Sequence, residues 1–131
     1  MAKITAPSKV EQLAIVHSNQ KLIYPPPEKV GVIVVDHFPA LGKLAALRFI
    51  EWVQHNPGGV VSLPTGKTPE HFIKWVKYFL RHWGDGKAQK ALEEGGIDPS
   101  IKPDMKNLHF VQIDEFYPIH PQQHNSFFYY V

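Results

Sequence analysis

Apolar and polar positions follow one another in blocks that predict strands and helices in turn. The β-branched run at residues 30–36 is typical of a strand buried on both faces. Residues 39–55 and 70–83 carry apolar side chains at helical spacing, with most of the charged residues on the opposite side. Short apolar runs at residues 60–63 and 108–113 predict two further strands.

The order of these elements indicates the fold class. Strand and helix alternate three times, which predicts an α/β fold with an open parallel sheet and helices on both faces. A short helix is predicted at residues 87–94, a loop at 99–107 and the start of another helix at 126–131.

The first 29 residues are predicted to form an extension that precedes a domain at residues 30–131. Within the extension, Ser8 is placed to cap a short helix that carries Val10 and Val16. The proline-rich run at residues 24–27 then stops any helix and makes a stiff connector.

Composition excludes several classes of protein. The 131 residues are 44% hydrophobic and 20% charged, as in globular proteins, and the net charge of +2 is too small to favour nucleic acid. The absence of cysteine excludes a disulfide framework and thiol catalysis. The longest apolar stretch near the front, residues 32–35, is far too short to span a bilayer. We therefore expect a soluble, cytoplasmic protein with no nucleic-acid or membrane partner.

The most informative motif is Thr65-Gly66-Lys67-Thr68, which lies between Pro64 and a helix that opens at Pro69. A helix N-terminus offers free N–H groups and a positive dipole end, and this loop adds a lysine and two hydroxyls. We expect it to bind a phosphate. It is not a nucleotide-hydrolysing P-loop, because Val61 occupies the position where that motif needs glycine. An ordinary turn with a surface lysine is the alternative.

Asp114 and Glu115 end the strand predicted at residues 108–113. They suit a helix cap or a solvated turn, or else a general base whose pKa is raised by an apolar wall. Phe110, Phe116 and Tyr117 are available for such a wall. Ligands of open parallel sheets bind beyond the carboxyl ends of the strands, so we expect the acid pair and the phosphate loop to face one crevice.

Two further groups favour simpler interpretations. His120 and His124 have the spacing of two metal ligands on a helix but lack the intervening glutamate of a metalloprotease. We predict no metal site, and expect a loop histidine that orders the turn or touches a sugar. Lys74, Lys77 and Arg81 are expected to form a solvated helix face.

Several motifs in this order resemble the amino-terminal half of glucosamine-6-phosphate deaminases, also called isomerases. The related 6-phosphogluconolactonases share the general layout. The resemblance covers roughly residues 30–131 and rests on three segments. They are Leu63-Pro64-Thr65-Gly66-Lys67-Thr68-Pro69, Ile113-Asp114-Glu115-Phe116, and His120-Pro121 with Asn125-Ser126-Phe127.

The resemblance implies a Rossmann-like parallel sheet and a sugar 6-phosphate bound by Thr65, Gly66, Lys67 and Thr68. It implies that Asp114 takes the C2 proton of the open-chain amino sugar, giving a ketose and ammonia. Glu115 is then expected to orient loops or to set the pKa of Asp114. No organic cofactor is required, because the substrate's own carbonyl stabilises the enolate. The small-molecule partner is a sugar phosphate.

The chain departs from the family at three places. Lys67 stands where the family often has glycine or serine, and the segment between Glu115 and His120 is shorter than in well-known deaminases. Phe116, where the lactonases usually have arginine, favours a deaminase. The family continues past residue 131 with an Asp/His/Glu cluster for ring opening and more basic residues on the phosphate. The resemblance thus predicts an amino-terminal portion of the family domain and leaves open whether that portion is active by itself. Apolar surface left uncovered in such a portion would favour a homo-oligomer. A non-catalytic sugar-phosphate-binding module and a lactonase-like hydrolase remain alternatives.

Overall fold

The computed structural model describes residues 8–18, 32–64 and 66–130 of the chain. Its elements, in chain order, are α1 (Lys9–His17), α2 (Phe38–His55), β1 (Val60–Leu63), α3 (Glu70–Arg81), α4 (Gly86–Glu94), β2 (His109–Gln112) and α5 (Phe127–Tyr130). β1 and β2 form a two-stranded parallel sheet in which Val60 lies opposite His109 and Leu63 opposite Gln112. The chain is therefore a mixed α/β protein, as its sequence predicts.

Helix α2 begins and ends where local signals predict. The His37 ring accepts a hydrogen bond at Nδ1 from the Ala40 amide (3.1 Å). Pro39 stands in the first turn, where a backbone N–H would have no carbonyl of the helix to bond, so that the N–H missing from proline is not needed. The helix ends at His55, and Asn56 and Pro57 follow it. The predicted helix at residues 39–55 is confirmed.

Helix α3 has the strongest separation of apolar and charged faces, and it ends two residues earlier than predicted. Residues 82–84 form a turn, in which the Asp85 amide donates to the His82 carbonyl (2.9 Å). Trp83 is nevertheless buried, and its Nε1 donates to the Pro99 carbonyl at 2.8 Å. The apolar period continues past the end of the helix because the turn also packs on the core.

The core is made by helices more than by the sheet. Its buried cluster consists of Val10, Leu47, Ile50, Phe79, Trp83, Leu92 and Ile97. By contrast, Val60, Phe110 and Val111 on the two strands are exposed. Within the residues that the structure describes, the sheet therefore lacks the covering on both faces that the alternation of strands and helices predicts.

The contact between α2 and α3 requires a glycine. A β-carbon added to Gly42 would lie 2.5 Å from the β-carbon of His71, well inside van der Waals contact. Gly42 thus allows α3 to approach the backbone of α2, and a T-shaped contact between Phe49 and Phe72 lies between the same two helices.

The prediction of a strand at residues 30–36 is wrong for the residues of that run that the structure describes. Residues 32–35 have no strand pairing, and the Val34 carbonyl accepts a hydrogen bond from Ser18 Oγ (3.2 Å) instead. A β-branched run becomes a strand only when a neighbouring strand pairs with it. In the described part of the chain the sheet contains β1 and β2 alone. Residues 30 and 31 lie outside that part.

The predicted helix behind Ser8 is confirmed as α1, and it packs on α2. The Glu11 amide donates to Ser8 Oγ (3.1 Å), which is the expected N-cap bond. Val10 joins the core, and Glu51 of α2, predicted to lie on a polar face, is 7% exposed beneath the start of α1. The proline-rich run at residues 24–27 lies outside the described residues.

Candidate functional site

The two segments predicted to carry the chemistry leave the sheet at the same edge. β1 and β2 are parallel and Leu63 pairs with Gln112, so the loops that begin at Pro64 and at Ile113 start side by side. The parallel order of the strands predicted this shared edge, which is confirmed, while the crevice expected there stays a prediction.

The loop before α3 has the backbone features of an anion site. Gly66 has a φ of +75°, a conformation that L side chains rarely adopt. α3 begins after Pro69, which supplies no side-chain cap, while the Glu70 amide donates to the Lys67 carbonyl at 3.1 Å. Lys67 and Thr68 are exposed beside this start of the helix. Thr65, the fourth predicted phosphate ligand, lies outside the described residues.

A carboxylate also borders this loop. Glu70, in the first turn of α3, receives a hydrogen bond from the Lys74 ammonium (2.6 Å). That hydrogen bond and the charge of Lys74 hold the pKa of Glu70 below its usual value, with smaller contributions from His71 and Lys67. The positive charge near the loop is therefore partly offset by Glu70.

Asp114 lies at the surface just beyond β2. Its backbone carbonyl accepts a hydrogen bond from Gln112 Nε2 at 2.6 Å, which closes the turn after the strand. Phe116 and Tyr117, predicted to form an apolar wall, are 57% and 98% exposed. They do not enclose the acid pair, because the ring of Phe116 packs instead against Phe127, with centroids 4.7 Å apart.

The carboxylate of Glu115 is fully engaged by hydrogen bonds. Oε1 accepts from the amides of Phe116 and Phe127 (3.0 Å each), while Oε2 accepts from the Phe128 amide (3.0 Å) and Ser126 Oγ (2.7 Å). Desolvation raises the pKa of Glu115, but these hydrogen bonds outweigh it and lower the pKa from 4.5 to about 2. A raised pKa, expected for a general base, is therefore wrong for Glu115.

Ser126 lies in a segment that carries the family resemblance, but the sequence predicted no site role for it. It is fully buried, its hydroxyl donates to Glu115, and its oxygen accepts from the Tyr129 amide at 3.3 Å. A serine at the start of a predicted helix is a recognisable capping signal. Its partner eleven residues earlier has no signature in the local sequence.

The phosphate loop and the acid segment meet through an aromatic ring. A β-carbon built on Gly66 would lie 4.0 Å from Cε1 of Phe127. Phe127 is the first residue of α5, and Glu115 binds its amide. The start of α5 therefore lies between the end of β2, to which it is hydrogen-bonded, and the neighbourhood of Gly66.

Both histidines of the predicted loop have structural roles. His120 Nδ1 accepts a hydrogen bond from the Gln122 amide (3.2 Å), and the His120 amide donates to Gln123 Oε1 (3.2 Å). His124 stacks edge-on against Tyr129. A search of residues 8–18, 32–64 and 66–130 finds no group of three or more metal-ligating side chains.

Two depressions of the surface are lined by residues outside these loops. One of about 470 Å³ runs beside β1 and contacts Arg48, Phe49 and Trp52. Another of about 280 Å³ lies between α1, α2 and α4. The exposed positions of Lys67 and Asp114 explain why their surface is open rather than enclosed.

Among the helices described here, none is long and apolar enough to cross a membrane.

Comparisons with protein-family models, with curated proteins and with solved structures found no match to this chain.

Proposed function

We propose that this chain carries the phosphate-binding and proton-abstracting part of a sugar-phosphate isomerase/deaminase. The substrate is glucosamine 6-phosphate, and the products are fructose 6-phosphate and ammonia. The proposal includes the finer fold, an open Rossmann-like sheet in which β1 and β2 are neighbours, and action in the cytoplasm on a small-molecule substrate.

One observation carries the proposal. The parallel register of β1 and β2 brings the uncapped start of α3 and the carboxylate of Asp114 to one edge of the sheet. A phosphate held by Gly66, Lys67 and Thr68 anchors one end of the sugar, so that its reactive carbons meet a fixed acid. Anchoring of this kind replaces a bimolecular encounter by an intramolecular one.

The chemistry assigned to Asp114 is a proton transfer. Its carboxylate accepts the proton from C2 of the open-chain sugar, and the electron pair forms the C1–C2 double bond as charge moves to the carbonyl oxygen at C1. Return of a proton to C1 leaves an imine at C2. Water adds to that imine, and ammonia departs as the ketone forms. Glu115 stays ionised and holds the neighbouring loops, because its hydrogen bonds keep it a poor proton acceptor.

A non-catalytic sugar-phosphate-binding module is the second candidate, and a specific observation favours it. Phe116 and Tyr117 are exposed, so they do not supply the apolar surroundings that would strengthen Asp114 as a base. Binding at the start of α3 needs no such surroundings.

The test is turnover of glucosamine 6-phosphate, followed by ammonia release and by loss of deuterium from C2-labelled substrate. Wild type is compared with Asp114→Asn, and with Asp85→Asn as a control at an exposed aspartate before α4. Activity in wild type and the control that is lost in Asp114→Asn supports the proposal. Equal turnover by all three removes Asp114 as the base.

Other outcomes separate the alternatives. Binding of the phosphosugar in calorimetry without turnover favours the binding module. Hydrolysis of a phosphorylated sugar lactone without ammonia release indicates the lactonase. Failure to bind any phosphosugar contradicts the whole proposal.

A further inference from the structure

Glu115 joins its own segment after β2 to the start of α5, and this gives it a role distinct from proton transfer. We infer that Glu115 and Ser126, here called the latch, hold the Phe127 ring near Gly66 and so help to fix the backbone of the phosphate loop at Gly66. Glu115 is then a positioning residue for phosphate binding, an inference that rests on the proposed function for its ligand.

The latch is specific because its donors use both carboxylate oxygens. Each oxygen accepts two hydrogen bonds of 3.0 Å or less, which makes four in all. Three of the donors are backbone amides, and the fourth is the buried Ser126 hydroxyl. Gln112 Nε2 also approaches Oε2, at 3.4 Å. Ser126 in turn accepts from the Tyr129 amide, so the first turn of α5 is bound as a unit.

An ionised carboxylate suits this position better than an amide. Every partner of Glu115 is a donor, and a carboxylate offers only acceptors. Glutamine would turn an NH₂ group toward two of those donors and leave them unpaired. Charge-assisted bonds of this kind are also shorter and stronger than neutral ones.

The ring of Phe127 transmits the latch to the loop. Its amide is bound by Glu115, its ring packs on Phe116, and the ring edge lies 4.0 Å from where a β-carbon on Gly66 would stand. Gly66 has a positive φ and no side chain of its own to resist a shift of the loop. Release of α5 would therefore remove the nearest ring from the neighbourhood of Gly66.

The first test measures the loop itself. The amide of Gly66 is followed by NMR in Glu115→Gln, Ser126→Ala and Phe127→Leu, with Glu93→Gln on the exposed face of α4 as the control. The ring current of Phe127 makes that amide sensitive to the ring's position. We expect the Gly66 signal to move in all three latch variants and to stay in place in the control. An unmoved signal in folded Glu115→Gln or in the milder Ser126→Ala overturns the inference.

The second test measures the ligand. We expect Glu115→Gln to weaken binding of inorganic phosphate and glucosamine 6-phosphate about tenfold, the scale of one lost charge-assisted hydrogen bond. In turnover, KM should rise with kcat little changed. A fall in kcat at constant KM would assign Glu115 to the chemical step instead.

A double variant separates the latch from a general loss of structure. If Glu115 acts through Phe127, then Glu115→Gln with Phe127→Leu should bind phosphate about as weakly as the weaker single variant. If the loss of phosphate affinity in the double variant equals the product of the two single losses, the two residues contribute independently, which would contradict the latch. If wild type binds no phosphosugar, the proposed function fails, while the Gly66 signal still decides whether the latch exists.

Discussion

The hydroxyl of Ser8 donates a hydrogen bond to the carboxylate of Glu51 at 2.5 Å, across 43 residues of sequence. The same carboxylate accepts the amides of Lys9 (2.8 Å) and Val10 (3.3 Å), and Arg48 Nη1 pairs with it at 3.1 Å. Glu51 therefore acts as a second cap on α1, supplied by α2. A buried carboxylate is tolerated here because each oxygen has partners and the positive end of the α1 dipole faces it.

Removal of this cap should loosen α1. We expect Glu51→Ala to lower the free energy of unfolding by about 2 kcal/mol, because the amides of α1 and Arg48 lose their acceptor. Ser8→Ala should lower it by about 1 kcal/mol, a typical value for a lost N-cap. Denaturant unfolding followed by circular dichroism measures both.

The matched control for Glu51 is Glu93→Ala, at an exposed position of α4. It should change stability by less than about 0.5 kcal/mol. The Glu51/Ser8 double variant should lose less than the sum of the two single losses, since both act on one network. A strictly additive result, or equal losses in Glu51→Ala and Glu93→Ala, would contradict the second cap.

Glu115 predicts a pH dependence of stability. Its pKa is lowered to about 2 in the folded chain, from 4.5, so the unfolded chain binds the proton more tightly. The stabilisation is therefore complete above about pH 4.5 and is lost as the pH falls toward 2. We expect wild type to be more stable than Glu115→Gln at neutral pH, and the difference to shrink in acid.

The measurement is the denaturant midpoint of both proteins at several pH values. Comparison with Glu115→Gln is needed because Glu70 and Asp98 also have lowered pKa values and weaken wild type in acid. Glu93→Gln serves as the control and should track wild type throughout. A difference that stays constant from neutral to acidic pH would show that the Glu115 charge does not stabilise the fold.

The charges around the phosphate loop predict opposite effects for two neighbours. Lys67→Gln should weaken phosphate binding about fivefold, the scale of one lost surface charge. Glu70→Gln should tighten it, because the carboxylate in the first turn of α3 repels an anion and also engages Lys74. Both effects should diminish at high salt.

Titration calorimetry with inorganic phosphate measures these effects, and Lys77→Gln on the exposed face of α3 is the control. The control should bind like wild type, since a distant surface charge is screened. Weaker binding in Glu70→Gln, or a similar loss in Lys67→Gln and Lys77→Gln, would place the anion elsewhere.

Local signals explain what could be predicted. Ser8 before α1, Pro39 at the start of α2 and the breakers after His55 act within a few residues, so their elements were predicted closely. The loop at Gly66 and the acid at Asp114 were predicted to meet because parallel strands end at the same edge. Each of these inferences needs only neighbours in sequence or one rule of topology.

Contacts between distant residues could not be predicted in the same way. The helical pattern places Glu51 on the polar face of α2, because that pattern does not indicate which other element packs over the face. The β-branched residues 32–35 read as a strand because the pattern does not reveal whether another strand will pair with them. Ser126 and Glu115 likewise meet only after the chain folds back between them.

The order of amino acids determined the helices, the two strands that pair, and the places where glycine, lysine and paired acids interrupt them, because backbone preference and apolar period are short-range properties. Tertiary structure alone decided that Glu51 caps a helix from beneath, that Glu115 is held ionised by α5, and that Phe127 lies near Gly66. The reason is physical: burial, desolvation and hydrogen-bond partners belong to positions in space, and many spatial arrangements share the same local pattern.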